Sequence, residues 1–215
     1  MENKYKTIAE KAEGLYKEKG SRFLAFGFHV ADETEIKPIL TSLRKEYHDA
    51  RHHCYAYRIG QKPYRYRTND DGEPSGTAGR PIYGQIVSNE LTNILIVVVR
   101  YFGGTLLGTG GLIQAYRSAA SDMISRATII EKSIGITCVL KFPYASLNGV
   151  MKIIKEETIT LINPVYDNTC SVTVLVPKDI LERFRGKMAL LDGLAFLEFN
   201  ENPLGQSREY LHKKQ

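Results

Sequence analysis

The stretch that most constrains this chain is Ile94–Val99, six consecutive aliphatic residues with Arg100 as the only charge at its end. Most of it is β-branched and it has no polar face. Together with its flanks, Leu91–Arg100, it reads as a buried central strand. The segment behind it, YFGGTLLGTGGL (Tyr101–Leu112), holds five glycines and opens a long amphipathic helix. Leu112, Ala115, Tyr116, Ala119, Met123, Ile124 and Ala127 form that helix's apolar stripe.

A second irregular stretch lies upstream. DDGEPSGTAGRPI (Asp70–Ile82) packs three carboxylates, two prolines and three glycines into thirteen positions. Neither hydrophobic period survives there, so it reads as a loop of fixed shape. Around these two stretches the expected elements run as follows. Residues 1–20 begin with an exposed strand or extended arm, and Ser21–Val30 is a strand. A helix follows with capping-box spacing at Asp32 and Glu35 and with Pro38 near its first turn. His53–Ile59 and Tyr64–Thr68 pair as a hairpin, and Arg80–Asn89 is a short helix. Beyond residue 130, a strand (Ile134–Leu140), a helix (Leu147–Ile154) and a hairpin (Ile159–Tyr166 with Thr169–Val176, turning at Asp167 and Asn168) are expected. A helix (Asp179–Leu190) and a strand (Leu194–Phe199) follow. That order, β-α-β-β-α-β, is the ferredoxin-like pattern. The expected class is α+β, with domains at 1–130 and 131–202 and a polar tail at 203–215.

Hydrophobic content of 43% and charged content of 25% are those of a packed globular chain. The net charge of +5 permits a polyanionic partner such as RNA without requiring one. Cys54, Cys138 and Cys170 are too dispersed for a zinc knuckle or a disulfide framework. No leader-like or membrane-spanning apolar run occurs, which sets a cytoplasmic location and no membrane partner as the expectation.

Three constellations could carry chemistry. In the acidic loop, Asp70, Asp71 and Glu73 could hold a hard cation or move a proton. Alternatively they could, with Ser75 and Thr77, tie down the loop's own amides, while Pro74 limits its freedom. Asp70, Asp71, Glu73, Pro74, Ser75, Thr77 and Gly79 make up this signature loop. In the glycine-rich segment, a strand, a turn and a helix start offer backbone N–H groups to an anion. Arg100, Gly103, Gly104, Thr105, Gly110 and Gly111 are the candidate phosphate cradle. It is neither a Walker A loop nor a dinucleotide fingerprint. The third is a basic, tyrosine-rich segment in which Arg51, His52, Arg58, Arg65 and Arg67 could line a nucleic-acid track, or could simply form one solvated face of two strands. His52 and Cys54 share a strand face that His53 does not. No catalytic residue, metal site or cofactor follows from these patterns.

The pieces SRFLA (Ser21–Ala25), HHCYAYR (His52–Arg58), the DDGEPSGTAGRPI loop and VVVRYFGGTLLGTGGLIQAYRSA (Val97–Ala119) resemble the YigZ/IMPACT family, and they span most of residues 20–130. The resemblance implies an N-terminal domain with the ribosomal protein S5 domain 2-like fold. It also implies a C-terminal ferredoxin-like domain similar to the fifth domain of elongation factor G. Both folds recur in ribosome-associated proteins, and eukaryotic members regulate translation through the general-control kinase pathway. The resulting expectation is a cytoplasmic RNA- or ribosome-binding protein with a translation-related role. An enzyme acting on a phosphorylated small molecule, or a module for protein partners, are the alternatives.

Overall fold

A computed structural model describes residues 4–167, 169–191 and 196–200, the last of these by backbone alone. The described residues divide into two compact α+β units, Tyr5–Lys132 and a second that begins at Ser133.

The first unit contains β1 (Lys4–Ile8), β2 (Ala12–Glu18), β3 (Ser21–His29), α1 (Ile36–Glu46), β4 (His52–Ile59), β5 (Arg65–Asn69), α2 (Gly79–Ser88), β6 (Ile94–Tyr101), α3 (Gly108–Arg126) and β7 (Ile129–Ser133). Five strands form an antiparallel sheet in the order β2-β3-β6-β4-β5, with β6 at the centre. The apolar run explains that position. Ile94, Ile96 and Val98 pack into the layer formed with α2 and α3, while Leu95, Val97 and Val99 pack into the layer formed with α1. All six are fully buried, at roughly 1.5–3 kcal/mol each.

The expected capping box is present: Glu35 accepts the Ala31 and Asp32 amides, and Asp32 accepts the Thr34 amide. It caps a single 3-10 turn, Glu33–Glu35, which runs into α1. The central strand starts at Ile94, three residues later than the expected Leu91. Glu90 and Asn93 have left-handed backbone angles (φ 56° and 54°), which break the extended run. The N-terminal arm is also less exposed than expected. β1 pairs with β7, a strand without a distinct sequence signal, and Thr7 and Ile8 are buried. The Thr7 hydroxyl donates to the Asn93 carbonyl.

The second unit runs β8 (Gly135–Pro143), α4 (Leu147–Glu156), β9 (Thr160–Val165), β10 (Thr169–Pro177), α5 (Leu181–Ala189) and β11 (Phe196–Asn200). Its antiparallel sheet has the order β11-β8-β10-β9, the ferredoxin-like arrangement expected from the element order. Leu140, Phe142, Val172, Val174 and Phe184 lie at its core. Asn168 of the expected hairpin turn, residues 194–195 of the expected last strand and the tail at 203–215 lie outside the described residues. Cys54, Cys138 and Cys170 are buried free thiols. No helix among the described residues is long and apolar enough to cross a membrane.

Candidate functional site

The acidic loop joins β5 to α2, and each of its carboxylates is committed within the protein. Asp70 accepts hydrogen bonds from the amides of Gly76 (2.8 Å), Ala78 (3.0 Å) and Gly79 (2.8 Å), which ties the loop back on itself and caps α2. Burial alone would raise its pKa, but these three N–H donors outweigh burial and hold it below the ordinary carboxylate value. Gly79 is required by space. A Cβ there would stand 2.6 Å from the Asn69 amide nitrogen, so only glycine lets α2 begin this close to β5.

Asp71 adopts a left-handed conformation (φ 41°), which Asp tolerates better than most residues. Its carboxylate accepts from the His53 amide (2.7 Å) and from Arg44 (2.8 Å). Its carbonyl lies 2.8 Å from His52 Nδ1, so that ring nitrogen is the donor. His53 points to the other sheet face, as strand alternation requires. Burial lowers its pKa, and the Asp71 carboxylate only partly opposes that. Thr77 bonds the Pro74 carbonyl, while Pro74 and Ser75 stand exposed.

Glu73 turns inward. It accepts from Arg100 (2.5 Å) and from the Tyr116 hydroxyl (2.8 Å), and both ion-pair side chains are almost fully buried, 4% and 6% exposed. Cys54 Sγ lies 3.3 Å from the Tyr116 hydroxyl and 3.0 Å from the Asp70 carbonyl that accepts its proton. Burial pushes the Cys54 thiol and the Tyr116 phenol well above their ordinary values. Both groups therefore stay protonated. Phe23 closes the cluster, edge-on to Tyr116 (5.1 Å) and beside the Arg100 guanidinium (5.4 Å).

Arg100 thus anchors the acidic loop, while of the glycines proposed with it Gly103, Gly104 and Gly110 lie on the surface and Gly111 is half-buried against Leu107. Gly103 passes so close to β3 that a Cβ would stand 2.0 Å from the Gly20 carbonyl carbon, and its amide donates to Ser21 Oγ. Gly104, Thr105, Gly108, Thr109 and Gly110 are exposed, and no side chain caps the start of α3. Phe102 and Leu106, 46% and 84% exposed, flank this turn.

The proposed basic track is divided between the two sheet faces. Arg58 lies opposite Tyr66, whereas Tyr57 and Ile59 lie opposite Arg67 and Arg65. His52 and Arg58 therefore share the α2/α3 side, and Arg65 and Arg67 share the α1 side. Arg58 is buried, 3.5 Å over the Tyr64 ring, and donates to the Leu91 carbonyl. Arg65 lies within ion-pair distance of Asp32 and Glu33. Arg51 is exposed just before β4. Two further cations escaped sequence reasoning. Arg80 on α2 and Arg117 on α3 line one trough of about 550 Å³ with Gly76, Gly84, Gln85 and Ile113. Among the described residues, no three His, Cys, Asp or Glu side chains converge as a metal site.

The Impact N-terminal domain model matches residues 19–124, which hold both the acidic loop and the glycine-rich turn. The chain is 34% identical over 173 residues to the Escherichia coli IMPACT family member YigZ, covering 80% of this chain and 85% of that one. It is 37% identical over 134 residues to the Bacillus subtilis IMPACT family member YvyE, covering 62% of each. A crystal structure described only as that of a hypothetical protein superposes with a TM-score of 0.64 at 31% identity, covering 91% of this chain and 98% of that one. With its inward Glu73–Arg100 pair and its exposed glycine turn carried inside the matched segment, the chain belongs to the IMPACT family.

Proposed function

We propose that this protein is a cytoplasmic, non-catalytic RNA- or ribosome-binding protein with a regulatory role in translation. The observation that carries this reading is the exposed start of α3. There Gly108, Thr109 and Gly110 offer uncapped backbone N–H groups at the positive end of a 19-residue helix, a setting that favours phosphate oxygens. Gly104 and Thr105 extend that surface, and the exposed Phe102 ring beside it suits stacking on a base. The Glu73–Arg100 pair anchors the acidic loop, and the Arg100 guanidinium lies 5.6 Å from the Phe102 ring, so Arg100 acts by positioning and the glycines by contact.

The enzyme alternative is weakened by the same geometry. A general base or a cation ligand needs an available carboxylate, yet Asp70, Asp71 and Glu73 each already satisfy donors of the protein. A protein partner could use the exposed Phe102 and Leu106. The translation role draws on membership of the IMPACT family.

The test is sedimentation of the full chain with ribosomes and with bulk RNA, beside a Gly110→Glu variant. Gly110 has open space around it, so the variant keeps the fold while placing a carboxylate among the amides. RNA binding lost in that variant supports the reading, and equal binding contradicts it.

A further inference from the structure

Arg80 and Arg117 are exposed and form no ion pair among the described residues, unlike Arg44, Arg65, Arg100 and Arg126. They come from different helices, yet they line the same trough. That trough continues into a second segment of about 360 Å³, which shares Gln85 and Arg117 with the first and adds Gln114 and Ser118. Along α3 it runs from Ile113 to Ser125, roughly 18 Å at 1.5 Å per residue. The acidic group at its far end, Asp122, already accepts the Leu15 amide (2.8 Å) and an Arg126 donor (3.1 Å). The wall is therefore cationic where Arg80 and Arg117 line it, with Gln85 and Gln114 beside them, and lined by hydroxyls (Ser118, Ser121, Ser125) toward Asp122.

Gly84 is a second, independent observation. It sits inside α2, where glycine is less stable than alanine. A Cβ built there meets nothing within 4 Å, so the protein's own packing does not call for glycine. Its position on the trough gives another reason: any side chain would stand in the space that an occupant fills.

We infer that the α2–α3 trough is the track for the phosphodiester backbone of single-stranded RNA, with Arg80 and Arg117 on the phosphates, an assignment that rests on the RNA-binding reading above. The shape favours a polymer. A pocket for a mononucleotide closes around most of its ligand, whereas this trough lies open and elongated between two helices. Arginine's planar fork suits phosphate oxygens, while Gln85 and Gln114 carry amide donors for oxygens between them.

The test uses the full chain and a fluorescent single-stranded RNA of about twelve nucleotides, titrated across a salt series. Replacing both Arg80→Ala and Arg117→Ala should weaken binding about tenfold or more. It should also flatten the slope of log K against log salt by about 1.4, from two phosphates at ~0.7 each. Gly84→Gln should weaken binding without lowering the thermal midpoint. Unchanged affinity and slope in the double arginine variant, or unchanged affinity in Gly84→Gln, overturns the track and leaves the RNA-binding reading standing. Failure of the parent chain to bind RNA at about 50 mM salt overturns both. Full displacement of the RNA by uridine monophosphate or inorganic phosphate, lost in the double variant, makes the trough a small-phosphate pocket and overturns the polymer assignment.

Discussion

Glu73 and Arg100 form an ion pair 2.5 Å long beneath the surface of the first unit, joining the acidic loop to the end of the central strand. Neither charge has ready access to water, so each depends on the other for compensation. Removing one partner strands the other in a poorly solvated site, a loss of about 3–5 kcal/mol. Arg100→Met should therefore lower the urea midpoint sharply. Adding Glu73→Gln to that variant should restore part of the loss, because Gln still accepts from Tyr116 and no buried charge is left. Additive losses in equilibrium denaturation would show that the pair is not coupled.

Asp70 should contribute to the acid limb of the stability curve. Its pKa lies below its ordinary value of 3.8 because three backbone N–H donors outweigh burial. The stabilisation is thus fully present above about pH 4 and is lost as pH falls through the lowered folded value. Asp70→Asn should be less stable at neutral pH, by about 1 kcal/mol as for a lost helix cap, and its stability should fall less steeply in acid. Chemical denaturation at a series of pH values checks both.

Two glycine substitutions should act in opposite directions. Gly103→Ala would place a Cβ 2.0 Å from backbone carbon of Gly20, so the β6–α3 turn must move away from β3 and the thermal midpoint should drop by many degrees. Gly84→Ala meets nothing within 4 Å inside α2 and should gain roughly 0.5–1 kcal/mol. Differential scanning calorimetry of the two variants reads the contrast directly.

The thiols should be inert in the native protein. Cys54, Cys138 and Cys170 are buried, and burial pushes Cys54 well up and Cys138 up to about 11. At pH 8 neither Cys54 nor Cys138 has an appreciable thiolate fraction, and Cys170 is shielded by its burial. A chromogenic disulfide reagent should label them only on unfolding. Rapid stoichiometric labelling under native conditions would contradict the packing around Tyr116.

What was legible in the sequence was local. Ile94–Val99 announced the central strand because six apolar residues leave no solvent face, and Asp32 with Glu35 announced the start of the α1 segment through a four-residue pattern. The β-α-β-β-α-β order was readable for the same reason. What was hidden depended on pairing across distance. Glu73 and Arg100 stand 27 positions apart, and nothing near either one signals that the arginine faces inward. Arg58, Arg65 and Arg67 looked like one basic track until the β4–β5 register set Arg58 opposite Tyr66, on the face away from the other two. Arg80 and Arg117 gave no joint signal because their trough exists only once α2 and α3 lie on the same sheet face.

The exposed start of α3 is the surface we propose for RNA phosphates. The most direct measurement is co-sedimentation of the full chain with ribosomes and bulk RNA across a salt series, with Gly110→Glu run in parallel. Binding by the parent should weaken steeply as salt rises, since released counterions drive phosphate contacts, and it should be lost in the variant. Absence of binding by the parent at low salt, or equal binding by parent and variant, would contradict that assignment.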